Sequence, residues 1–100
     1  MRVQLNAIQF KADKKLIQLI EKKLKKLEQL FSKIINAEIY LKLENSGKIK
    51  DKITELKLKV PGDTLIVKGM SKTFEGAIDQ VIKTMIRVLK RYKQKKLNIG

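Results

Sequence analysis

Two stretches of this chain alternate apolar and polar side chains so regularly that each can bury only one face. In residues 37–44, Ala37, Ile39, Leu41 and Leu43 alternate with Glu38, Tyr40, Lys42 and Glu44. In residues 52–60, Thr54, Leu56, Leu58 and Val60 alternate with Glu55, Lys57 and Lys59. Successive side chains of a strand point to opposite faces, so both runs read as strands with one wet side. Residues 2–8 repeat the pattern, with Val3, Leu5 and Ala7 opposite Arg2, Gln4 and Asn6, and Thr64 to Met70 supplies a fourth strand. A sheet with one apolar face is stable only under a lid.

The lid is legible as two helical stripes. Asp13 stands at an N-cap position ahead of Leu16, Ile17, Ile20, Leu24, Leu27, Leu30 and Phe31, which recur at a period near 3.6. This predicts a helix from about Lys14 to Phe31, left by Ser32 to Asn36. Ser71 or Thr73 caps a second helix whose inward positions are Phe74, Ala77, Ile78, Val81, Ile82, Met85, Val88, Leu89 and Tyr92. Turn chemistry at Asn45-Ser46-Gly47-Lys48 and Pro61-Gly62-Asp63 separates the later strands. A helical crossover favours parallel pairing of the first two strands, and the later strands form an antiparallel meander. The expected fold is α+β: a β-α-β-β-β-α two-layer sandwich, with a four-stranded mixed sheet and both helices on one face, the opposite face being polar in the first three strands. One hundred residues suffice for one such domain, expected over 1–93, with a basic, frayed tail over 94–100.

Composition then restricts chemistry. There is no Cys and no His, so disulfides, thiolate nucleophiles, the commonest general base and the usual zinc ligands are all absent. The ten acidic residues are scattered, mostly beside lysines, and the glycines are isolated, so neither a paired-carboxylate cleft nor a phosphate-binding loop can be built. No metal, cofactor or small-molecule substrate is expected, and no enzymatic activity. No apolar run approaches the ~20 residues of a membrane-spanning helix. The N-terminus carries no apolar signal segment, so a cytoplasmic protein is expected.

Charge is the remaining signal. Twenty-four Lys and Arg against ten Asp and Glu give +14, which points to a polyanionic partner. A general lysine bias would give the same total, so placement decides. On a wheel of the first helix, Lys15, Lys22 and Lys26 share one outer flank, with Lys23 nearer the core edge. Glu21, Glu28, Lys14 and Lys25 share the other, where Glu21 and Lys25 are spaced for an ion pair. After Asp79 no acid follows, and the outward positions of the second helix read Lys83, Arg87, Lys90 and Arg91, then Lys93, Lys95 and Lys96. Cations near a helix C-terminus are favoured by the macrodipole, but Lys83 and Arg87 lie too early for that. On the sheet, Lys57 and Lys59 lie beside Glu55 and across from Glu38 or Glu44, so their charge is offset locally. Only Arg2, Arg87 and Arg91 are arginines, so binding through point charges to phosphate is expected over base-edge readout. Tyr40 suits a cross-strand contact, and Phe10, Phe31, Phe74 and Tyr92 fit core positions, leaving no aromatic series for single-strand stacking.

Three segments together are recognisable: Glu21-Lys22-Lys23-Leu24-Lys25-Lys26-Leu27-Glu28, the turn Val60-Pro61-Gly62, and Ala77-Ile78-Asp79 through Arg87-Val88-Leu89-Lys90-Arg91. At these separations the chain resembles the ribosome hibernation promoting factor family, also called ribosome-associated inhibitor A or sigma-54 modulation proteins, over nearly its whole length and in its short form. The resemblance implies a non-enzymatic factor that binds the small ribosomal subunit in stress or stationary phase, over the tRNA and mRNA sites; a monomer is expected. It assigns rRNA binding to Lys22, Lys23, Lys25 and Lys26 and to Arg87, Lys90, Arg91 and Lys93, to which the outward position of Lys83 adds a ninth residue. Ile86 and Val88 depart from the family's polar residues, and Lys83 and Thr84 from its usual acid and base. Ile86 either widens the core stripe or forms a contact patch. Two other readings remain: a generic double-stranded or structured RNA-binding domain, and a peripheral protein of anionic membranes, which would need the apolar stripes the sheet also needs.

Overall fold

The computed structural model describes residues 1–46 and 49–98, with side-chain surroundings over 1–44 and 51–95. Its elements run β1 (Arg2–Ile8), α1 (Lys14–Leu30), β2 (Asn36–Ser46), β3 (Ile49–Val60), β4 (Asp63–Ser71) and α2 (Phe74–Asn98). The sheet order is β1-β2-β3-β4, with β1 parallel to β2 and the other pairs antiparallel. This is the α+β arrangement expected from the alternation. β2 includes Asn45 and Ser46, which the turn chemistry assigned to the loop, and the apex at Gly47 and Lys48 lies outside the described residues.

Each boundary has a local cause. Asp13 accepts the Leu16 amide at 2.8 Å, which satisfies one of the orphan donors at the start of α1. Thr73, not Ser71, caps α2: its hydroxyl accepts the Gly76 amide at 3.0 Å and its carbonyl the Ala77 amide. Val60 pairs with Asp63, so Pro61-Gly62 is a two-residue turn, and Gly62 takes the φ of 80° that a type II turn requires at its second central position. α2 runs past Lys93, where the domain was expected to end, to Asn98. Gln94, Lys95, Lys96 and Leu97 are good helix formers, and no Gly or Pro interrupts them.

The core lies between the layers. Leu24, Leu27 and Ile20 from α1 and Ile78, Val81, Met85 and Leu89 from α2 are buried on Ala37, Ile39, Leu41, Leu56, Leu58 and Val60 of the inner sheet face. Gly69 lets α2 lie close on β4: a Cβ there would stand 2.8 Å from Val81 Cγ2 and 3.0 Å from the Ala77 carbonyl. Two aromatic pairs close the ends, Phe10 stacked on Phe74 at 4.9 Å and Phe31 edge-on to Tyr92 at 5.5 Å. Ile86 and Val88 pack partly buried against the core, so both widen the stripe.

Four expectations fail at the margins. Val3, at the start of edge strand β1, is exposed although its face is the covered one, and so are Leu43, towards the end of β2, and Leu30, in the last turn of α1. The open sheet face is less polar than the alternation implies. Ile8, Ile66 and Met70 are exposed there, and Ile53 is covered to 8 % exposure by the row Ile8, Lys42 and Met70 across the register.

Leu24→Ala should cost about 2–5 kcal/mol in urea unfolding, because the buried site cannot collapse around the missing atoms. Thr54 is buried with a hydroxyl that has no hydrogen-bond partner among the described residues. Thr54→Val keeps the shape and removes that group, so it should raise stability by about 1 kcal/mol, and a loss of stability would show the hydroxyl to be satisfied.

Candidate nucleic-acid interface

The basic side chains owe their placement to the direction of the helices. Lys23 of α1 meets Asp79 of α2, and Leu30, about two turns further along α1, meets Lys93, about four turns further along α2, so the helices run the same way. Their C-terminal ends, each with unpaired carbonyls and a partial negative charge, therefore lie together. A cation is favoured at that end, and Lys93 of α2 stands there, whereas α1 has no basic residue in its own last turn.

Lys22, Lys26, Lys83, Arg87, Lys90 and Arg91 are all exposed. On α1, Lys15, Lys22 and Lys26 lie on the flank towards α2, since Lys23 between them reaches Asp79 and Glu28 on the opposite flank reaches the Met1 ammonium at 3.0 Å. Lys83, Arg87 and Lys90 rise on the other side of the same seam. Six cations thus flank one seam between parallel helices. Lys25 is exposed on the far flank, beside Glu21 and Glu28, and Glu21 makes no ion pair with it among the described residues.

Two of the expected binding residues have work inside the molecule. Lys23 Nζ is 3.1 Å from Asp79 Oδ1, and its side chain is only 25 % exposed. Lys93 Nζ donates to the Leu30 carbonyl at 3.1 Å and sits 5.9 Å from the Phe31 ring centroid, so it caps α1 from α2. Sequence reasoning missed Asp79 as a partner for Lys23; the signal was the last acid of a helix that is basic from there to its end. Lys95 is also exposed, and the side chain of Lys96 lies outside the described residues.

The opposite surface contrasts in charge. The open sheet face carries Arg2, Lys42, Lys57, Lys59 and Lys68 against Glu38, Glu44, Asp51 and Glu55, and is nearly neutral. Lys57 pairs in register with Glu38, whereas Lys59 lies across from Asn36 and has no acid opposite, which corrects the expectation for that residue. Tyr40 donates to Glu38 at 2.7 Å, a bond that holds the phenol proton and raises its pKa above 10, with desolvation and the nearby Glu38 and Glu55 charges adding to it. Lys57 lies 5.8 Å from the Tyr40 ring centroid, so that ring is engaged within the sheet. A shallow hollow on this face, bordered by Ile8, Tyr40, Lys42, Ile53 and Lys68, has a volume of about 270 Å³. Among the described residues no cluster of acidic side chains could hold a metal ion, and no helix is long and apolar enough to cross a membrane.

The model of the sigma 54 modulation protein / S30EA ribosomal protein family matches residues 3–97. The chain belongs to that family. Within reach of it by sequence is a ribosome hibernation promoting factor of Pseudomonas putida, 26 % identical over 99 residues that span 99 % of this chain and 93 % of the relative. Two solved structures share the family's fold. A ribosomal subunit interface protein of Coxiella burnetii superposes with a TM-score of 0.83 at 24 % identity, covering 94 % of this chain and 99 % of that one. The N-terminal domain of Protein Y from Thermus thermophilus gives 0.79 at 22 % identity, over 92 % and 99 %.

The two kinds of lysine separate experimentally. Lys93→Ala should lower stability by about 1 kcal/mol, because it uncaps α1, while Lys90→Ala should stay within about 0.5 kcal/mol. Equal losses in urea unfolding would remove the capping role from Lys93.

Proposed function

We propose that this protein is a ribosome hibernation factor that binds the small ribosomal subunit through rRNA phosphates and occludes its tRNA and mRNA sites under stress. The observation that carries this reading is the one-sided charge: six exposed cations flank the α1–α2 seam, while the sheet face is nearly neutral. Membership of a family of ribosome-associated proteins and a relative with hibernation in its name support the choice of the ribosome among polyanions.

Lys15, Lys22 and Lys26 of α1 and Lys83, Arg87 and Lys90 of α2 meet phosphates, with Arg91 at the outer edge of α2. Lys is a compact point charge on a flexible stem, which suits a backbone whose phosphates vary in position. Such contacts fix orientation and carry no base sequence, so recognition follows the shape of folded rRNA. The protein acts as a monomer in the cytoplasm, without cofactor or catalytic step, by filling space. The apolar stripes that a membrane-surface helix would insert are already buried on the sheet.

Two measurements test the reading. With about six phosphate contacts, affinity for purified small subunits should fall about 1,000-fold between roughly 50 and 200 mM monovalent salt. Salt-independent binding would instead indicate a protein–protein contact. Reversing Arg87 and Arg91 to Glu should abolish co-sedimentation with small subunits and inhibition of translation in vitro, with thermal stability little changed. Reversing Lys57 and Lys59 should weaken binding only modestly, through the general field. A larger loss from the sheet pair, at equal stability, would move the interface to the other face.

A further inference from the structure

Two acids of α2 face α1: Glu75 lies with Asp13 and Lys15 around the hollow at the start of the two helices, and Asp79, one turn on, reaches the stretch that carries Lys22 and Lys26. Glu28 holds the N-terminal ammonium and Glu21 lies on the far flank. The Asp79 carboxylate is half exposed, at 51 %, and stands 3.1 Å from the ammonium of Lys23. It therefore does two things to any polyanion lying along the seam. It places a negative charge among the cations that would hold the phosphates, and it occupies Lys23, which otherwise lies between Lys22 and Lys26 on the same flank.

A bridge this exposed contributes little to the fold. Partly solvated ion pairs are typically worth little net stability, and both helices are already fixed by their shares of the common core, Ile20, Leu24 and Leu27 of α1 and Ile78, Val81 and Ile82 of α2, and by the Lys93–Leu30 contact. Its larger effect is on what the surface offers. Resting on the reading of the seam as the phosphate-binding face, we propose that Asp79 limits affinity: its carboxylate sequesters Lys23 and repels phosphate, so that the complex with the small subunit is weak enough to be released. Rim charges of this kind act chiefly on association and on salt dependence.

The test is a set of salt titrations of binding to purified bacterial small subunits, with melting temperatures measured in parallel. Asp79→Asn should bind about two- to fivefold more tightly than wild type, and its dependence on salt should steepen by about one ion, the signature of one more neutralised phosphate. Lys23→Gln in the Asp79→Asn background should return both affinity and slope to wild-type values, since the freed charge is gone. A purely structural clamp predicts the opposite pattern, a lower melting temperature with equal or weaker binding and an unchanged slope, and that result would overturn the role given to Asp79. Wild-type protein that fails to bind small subunits at all would overturn the interface itself, a failure visible before any variant is compared.

Discussion

The contact between α2 and the inner sheet face governs the rest. Ile78, Val81, Met85 and Leu89 are completely buried on it, and they cover β3 and β4 at a distance that only Gly69 permits. Apolar burial of this kind is the main favourable term available to a chain with no cysteine and few aromatics. Its geometry has a second effect. Once α2 is seated, its direction is antiparallel to β4, as that of α1 is to β2, and the helices are forced to run the same way. Their dipoles align instead of cancelling, and their basic C-terminal halves meet. The charged face is thus a by-product of topology before it is a property of individual lysines.

That arrangement engages some basic residues within the molecule. At the seam, Lys93 satisfies a carbonyl that the end of α1 leaves without a partner, and Lys23 answers Asp79. Tyr92 belongs with them. It is buried, and its hydroxyl donates to the Pro61 carbonyl, so the last turns of α2 hold the β3–β4 turn as well as the end of α1. A basic residue near the end of α2 is therefore a binding residue or a fastener, according to whether a carbonyl lies within its reach.

Most of the architecture was legible because it follows from periodicity. Strand alternation and helical stripes are local consequences of which side chains need water, and they place Leu24, Leu56 or Met85 inside without knowledge of the neighbours. The failures are of another kind. Leu30 and Val3 obey the pattern but sit where the opposing layer ends. Ile53 breaks the polar face and is still covered, by side chains from β1, β2 and β4 that the sequence of β3 does not reveal. Gln9 adopts a φ of 64°, in a region where glycine or asparagine would be expected, and nothing in its neighbourhood of sequence announces it. The candidate site divides in the same way. That α1 and α2 each carry a basic flank follows from a wheel, but the pairing of Lys23 with Asp79 depends on how two helices far apart in sequence come to lie side by side.

The near neutrality of the sheet face bears on how such a protein behaves among many RNA molecules. A small protein with a net charge of +14 spread evenly would touch one polyanion on each side, and at high concentration would gather nucleic acid into a cross-linked phase. Here the attraction has one side. If the helices seat the protein on RNA as proposed, the surface turned outward is one in which Glu38 answers Lys57 and Glu55 lies between Tyr40 and Lys68, so a second strand would find little to hold and the bound polyanion would be capped and left dispersed.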